Sequence, residues 1–209
     1  MLSKNKKLSL TISLISAFFT ASLLFAQSMS DKTVITGDEL VVQKSGSVIT
    51  SKGNSKAVSG DNILTSIKMT FDRKTSDVSA TGDVKFISKT KDGEPITASG
   101  QHALYNTQTQ KGKLWGENVE VKYFKQDSTS PMVLKTQQIF IDRNLDTITA
   151  EKTVDAGTVA VRPIADIPYG NRKGIFEADT MTYYGAETDK KLVMKGSVTG
   201  KIEMEDKIK

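Results

Sequence analysis

Groups that ionise or attack are sparse in this 209-residue chain. It has one histidine, His102, and no cysteine. Without cysteine there are no disulfides, thiolate metal ligands or thiol nucleophile. A single histidine then leaves zinc without a ligand set. His102 falls on an outward strand position between Gln101 and Ala103, which reads as structural. The sequence holds no Gly-x-Ser-x-Gly elbow, no phosphate-cradling Gly-Lys-Ser/Thr loop and no His-Glu-x-x-His pair. Paired carboxylates can do acid–base work without a local motif. Asp38 and Asp179, however, occupy equivalent places in a repeated phrase, which points to a repeated structural or rim role. Asp61-Asn62 and Gly53-Asn54 lie in polar turns but lack the ligand spacing of a calcium-binding EF-hand loop. These residues argue against an enzyme.

The elements that would position these residues are strands. β-branched residues dominate after residue 30, apolar and polar positions alternate with period two, and no stretch shows helical periodicity. The phrase Ile67-Lys68-Met69-Thr70-Phe71-Asp72 returns in kind at Asp38 to Gln43, Gln101 to Asn106, Gln137 to Asp142 and Asp179 to Tyr184. Each copy is followed by a polar turn and a second strand. A glycine comes next at Gly53, Gly82, Gly116 and Gly196, with Lys152 in its place in the fourth copy. Glycine there predicts a bulge or bend after which the strand resumes, as in Val84-Lys85-Phe86 and Val119-Glu120-Val121. The unit is therefore strand, turn, strand, bend, strand. No such unit buries its apolar face alone, so five stacked units share one interior. Hairpin loops are predicted over 87–95 and 125–131, and the longest insertion is a loop near 162–173, open to a partner-contacting role.

The N-terminus bears on destination. Lys4, Lys6 and Lys7 precede an uncharged stretch from Leu8 to Ala26, closed by Ala26-Gln27-Ser28, the composition of a secretory signal over residues 1–28. The alternative is an uncleaved inner-membrane anchor, since about 20 apolar residues span a bilayer. Loss of this segment removes three lysines and no acid, taking the net charge from +5 to +2. The basic character belongs largely to the leader, so no nucleic-acid partner is expected. Residues 29–209 then form a single domain.

Alternation places i and i+2 on one face. That face collects Leu40, Val42, Met69, Phe71, Val84, Phe86, Ile139, Ile141, Met181, Tyr183 and Met194, while Lys68, Thr70 and Lys85 turn to solvent. Trp115 takes the opposite face from Leu114, at a rim or flanking groove, and Tyr183-Tyr184 places one ring on each side. Such an interior is either filled by its own side chains or partly open as an apolar groove for hydrocarbon, a use that suits adaptable Met69, Met181 and Met194. The residues leave both readings open.

The phrases Gly37-Asp38-Glu39-Leu40, Met69-Thr70-Phe71-Asp72, Ser79-Ala80-Thr81-Gly82-Asp83-Val84 and Ala178-Asp179-Thr180-Met181-Thr182-Tyr183-Tyr184 resemble the OstA/LptA family of periplasmic lipopolysaccharide transport proteins, over about residues 33 to 204. The resemblance implies an all-β, slightly twisted β-jellyroll (β-roll) of antiparallel strands around an apolar interior groove. It implies that the inward residues above contact lipopolysaccharide acyl chains, with no catalytic residue, metal or cofactor. It further implies a periplasmic location and edge-to-edge partners. These are further copies of itself, an inner-membrane-anchored subunit and an outer-membrane translocon, together bridging the two membranes. Lys152 and the 162–173 insertion depart from the family pattern. Two alternatives stand beside this carrier: an anchored LptC-like subunit, if the leader is retained, and a closed structural or adhesive β-solenoid.

Overall fold

A computed structural model describes residues 33–90, 92–125, 130–154, 160–169, 172–185 and 190–203. The expected signal segment at 1–28 and the chain end beyond 203 lie outside them. The described residues contain no α-helix, and no helix long and apolar enough to cross a membrane. They form a 14-stranded sheet in which all pairings are antiparallel. The strands are β1 (Val34–Thr36), β2 (Glu39–Gln43), β3 (Val48–Ser59), β4 (Asn62–Asp72), β5 (Asp77–Lys89), β6 (Pro95–Asn106) and β7 (Lys111–Tyr123). They continue as β8 (Met132–Asp142), β9 (Thr147–Glu151), β10 (Ile164–Tyr169), β11 (Arg172–Glu177), β12 (Thr180–Tyr184), β13 (Lys191–Lys195) and β14 (Thr199–Ile202).

The six long strands β3 to β8 all bend at mid-length. Their ladders shift register at Lys52/Ser55, Thr65/Lys68, Thr81/Val84, Ser99/His102 and Trp115/Val119. The bends align across the sheet and crease it into two leaves. The first leaf runs β2, half of each of β3 to β8, then β9, β12 and β13; the second runs β1, the other halves, then β10, β11 and β14. Gly53 and Asn54 have φ of +64° and +45°, and Gly82 and Asp83 have +78° and +46°. Two successive left-handed residues turn the strand sharply without ending it, which a bulge led by glycine does at low steric cost. In the first three copies the residue that fills the bend lies fifteen positions before it: the Asp38 carboxylate against Gly53, Ile67 against Gly82, and Gln101 against Gly116; in the fifth, Asp179 lies seventeen before Gly196.

In the fourth copy, where Lys152 stands in the glycine's place, the strand does not continue through the crease, and in the fifth it stops before Gly196. β9 ends at Glu151, and Lys152 and Thr153 leave the sheet, Thr153 pairing with Val161 and donating through its hydroxyl to Gln137 Oε1. The chain returns as β10, whose Ala165 pairs with Leu134 of β8. This corrects the expected loop at 162–173, which is largely the β10–β11 hairpin. Pro163 and Pro168 favoured a loop, but Pro163 precedes the strand. Pro168 lies past Asp166, the last residue paired with β8, where β10 has a neighbour on one side only and tolerates proline. β5 likewise continues to Lys89, so the loop expected from residue 87 starts at 90.

At the far end of the first leaf, Asp72, Asn106 and Asp142 repeat one turn. Each Oδ1 accepts a backbone N–H two residues on, 2.9–3.1 Å away, with left-handed Ser76, Gln110 and Asp146 closing the loop. The Asp142 carboxyl is held below its usual range, first by Lys111 and then by these backbone donors.

Candidate functional site

Between the leaves, cross-strand pairing assembles two unbroken rows on the inner face of the first leaf. One runs Leu40, Ser51, Met69, Ala80, Ala103, Leu114, Ile139, Ala150, Met181, Met194. The other runs Val42, Ile49, Phe71, Val78, Tyr105, Gly112, Ile141, Ile148, Tyr183, Leu192. Opposite them, the second leaf contributes the row Ile35, Ala57, Leu64, Phe86, Ala98, Val121, Leu134, Ala165, Phe176. All the residues assigned from sequence to the inward face lie in this interior, yet not to equal depth. Met69, Phe71, Val84, Ile139, Met181 and Tyr183 are buried. Phe86, Ile141 and Met194 are partly covered and sit against the central cluster. Leu40 and Val42 are 39% and 58% exposed, because β2 is the edge of the first leaf and the interior is open there. Buried Leu114, Val119, Val121 and Leu134 belong to the same interior and were missed by a reading centred on the repeated phrase.

On the outer face, Lys68 and Lys85 are exposed. Trp115 stacks on His102 with ring centroids 5.5 Å apart, away from buried Leu114. The histidine is thus part of an outer aromatic contact. Asp38 accepts a hydrogen bond from Asn54 Nδ2, and Asp179 accepts one from the Ser197 backbone N–H, so both brace a crease. The Ser197 donor, followed by Lys152 and Arg162, keeps the Asp179 carboxyl below its usual range. Among the described residues no group of three or more His, Cys, Asp or Glu side chains is placed to hold a metal ion.

The leaves also meet at their free tips, in a cluster that the sequence reading did not identify. The 90–94 turn is fixed by a Thr90 N–H donating to the Glu94 carbonyl at 2.9 Å and by a Glu94 N–H donating to Thr90 Oγ1 at 3.1 Å. This aims the Glu94 carboxylate inward, where only 8% of the residue is exposed. From β7 the Tyr123 hydroxyl donates to Glu94 Oε2. From the first leaf, Lys190 Nζ reaches the same oxygen and lies 2.8 Å from Asp92 Oδ2. Arg143 pairs with Asp146 at 3.2 Å and donates to the Lys89 carbonyl at 3.3 Å, again crossing between leaves. Beside them the Tyr123 and Tyr183 rings meet at 4.9 Å. Burial and the Glu94 contact push Tyr123 up to about 12. Burial pulls Lys190 down, but its two carboxylates outweigh that and raise it to about 12. Burial, then the neighbouring Tyr123 hydroxyl, carry Tyr183 far above its ordinary range.

Beneath these contacts lies a cleft floored by Phe86, Ile96, Ala98, Ile141 and Ile148 and rimmed by Ser88, Arg143, Asp146, Thr147 and Tyr183. It has room for about one water molecule. The arrangement provides apolar contact along the interior and polar closure at one mouth.

Residues 34–147 match the family described as LptA/(LptD N-terminal domain) LPS transport protein. Among solved structures, the chain is similar to LptH, described as the LptA-homologous periplasmic component of the lipopolysaccharide transport device from Pseudomonas aeruginosa. The likeness has a TM-score of 0.56 at 15% identity and covers 66% of this chain and 96% of that one. No curated protein matches by sequence.

Proposed function

Because the chain belongs to the LptA/LptD N-terminal-domain family of lipopolysaccharide transport proteins, we propose that it is a non-enzymatic periplasmic carrier that shelters acyl chains between its two leaves. The observation that carries this is the pair of rows, apolar but for Ser51, that run from one edge strand to the other. Hydrocarbon moved from water to such a surface gains about 0.8 kcal/mol per buried methylene. A continuous row lets a chain slide without recrossing water, while the sugars of the same molecule stay outside. The contact residues are Leu40, Val42, Met69, Phe71, Val84, Phe86, Ile139, Ile141, Met181, Tyr183 and Met194.

The edges suit the partners such a carrier needs. β2 and β13 each pair on one side only, and an unpaired edge is a template for another strand. Leu40 and Val42, exposed at the β2 edge, would continue the apolar row into the next unit, whether a second copy or a membrane-bound member of the same bridge.

The test is crosslinking in cells with a photoreactive residue at position 71 or at position 68. Lipopolysaccharide adducts at 71 and not at 68 are expected, because Phe71 is inside and Lys68 outside. A folded, exported protein that gives no adduct at either position would overturn the carrier reading in favour of a closed structural roll.

A further inference from the structure

We propose that the mouth between the 90–94 turn and the first-leaf tips is a latched side portal, through which a hydrocarbon chain enters the interior when Lys190, Glu94 and Arg143 release. The proposal rests on the carrier reading above and adds the place and the closure.

Four observations converge on it. The ties join residues far apart in sequence, 96 positions for Lys190 to Glu94 and 54 for Arg143 to Lys89, so they hold the leaves and no local turn. They are polar and reach solvent, since the Asp92 side chain is 63% exposed and that of Lys190 18%. Water can therefore replace the partners as the tips part, which it cannot do for Ile139 or Met181 in the core. Directly beneath, the floor is apolar and nearly closed, so a chain lying there needs the leaves to separate. Two buried polar atoms at the rim are poorly met: Asp146 Oδ2 has no hydrogen-bond partner and the Tyr183 hydroxyl has only that of Tyr123, each on a residue 5% exposed. Unmet polar groups raise the free energy of the closed form. A chain carried on a hydroxylated head would bring them partners at the rim while its methylenes fill the floor. Among the described residues no such closure covers Leu40 and Val42 at the β2 edge, so the two openings differ in kind: one is a strand edge, the other a latched mouth.

The probe is 11-(dansylamino)undecanoic acid, whose fluorescence rises in an apolar site, mixed by stopped flow with the mature protein. Lys190→Met keeps the aliphatic stem and removes the ties, and should speed uptake about 3- to 10-fold. Asp92→Asn, a milder change at an exposed residue, should speed it less, and serves if the first variant folds poorly. Lys113→Met, on the outer face, should leave the rate unchanged. Hydrogen exchange at the amides of 86–88 and 96–98 reads the mouth without any ligand and should quicken in Lys190→Met. Faster uptake with faster exchange supports the portal. Faster exchange with unchanged uptake places admission elsewhere and overturns the portal. Unchanged exchange in a folded variant overturns the latch. Absence of uptake in every variant, with faster exchange, leaves the latch a structural tie and brings down the carrier reading instead.

Discussion

Two stretches of the same inner rows, over β2 and over β12, are covered unequally. At the β2 edge, Leu40 and Val42 stand on the inner face and remain exposed, whereas ladder partners further along the same rows, Met181 and Tyr183, are buried. The side-chain types are alike, so alternation does not explain the difference. What differs is the opposing leaf. Over β12 the second leaf supplies long strands, and the Tyr123 ring lies 4.9 Å from that of Tyr183. On the β2 side, beyond β3, the second leaf has only the three residues of β1 among the described residues. Small hydroxyls replace bulk nearby: Ser51 donates to the Thr36 carbonyl and Ser55 to that of Ile67. Among the described residues the rows are therefore open at the β2 edge and covered over β12.

The largest expected break in this comparison comes from the core. Ile139→Ala removes a side chain with no exposed surface and should cost about 2–5 kcal/mol. Leu40→Ala on the same row should cost under about 1 kcal/mol, because that side chain still meets water. Chemical denaturation of both variants checks this, and equal losses would mean that the β2 end is covered in solution. Next comes the crease. Gly82→Ala places a Cβ 2.7 Å from Ile67 Cδ1 at φ +78°, and should destabilise by about 1–3 kcal/mol. Gly46→Ala has a similar φ of +88° but open space around it, so it should lose only the backbone part, about 1 kcal/mol.

The smallest effects separate the mouth from the turn tips by pH. Tyr123 and Lys190 hold their protons more tightly in the fold, so their contribution is complete below their ordinary values of 10.0 and 10.5. It is lost as pH rises through about 12. Asp142 and Asp179 are shifted the other way, so theirs is complete above 3.8 and is lost as pH falls below it. Melting temperature against pH should therefore drop at both limits. Lys190→Met should flatten the alkaline drop and leave the acid one, while Asp142→Asn should do the reverse. A variant that alters both limits alike would show that mouth and turn tips are not independent.

Much of the fold was legible because strand chemistry is local. Alternation at Met69 and Phe71 sets their face, and a glycine at each recurring position marks the crease, since both depend on residues within a few places of one another. Lys152 marked one copy whose strand ends, but β13 also ends before Gly196, so the missing glycine is not what stops it. The 162–173 segment misled because proline speaks only of its own missing N–H, and whether that matters depends on which side of β10 has a neighbour. The mouth cluster had no signature beyond the turn residues Asp92-Gly93.

Strands of one repeated kind, bent at recurring places and with one apolar face each, follow from the order of the residues alone. Periodicity and backbone freedom are properties of neighbouring residues. Which inner residues are covered, that Lys190 finds Glu94 across 96 positions, and that the rows are open at β2 yet covered over β12 follow from the tertiary structure alone. Burial and ion pairing depend on what lies across the interior, and that is set by how the creased leaves meet.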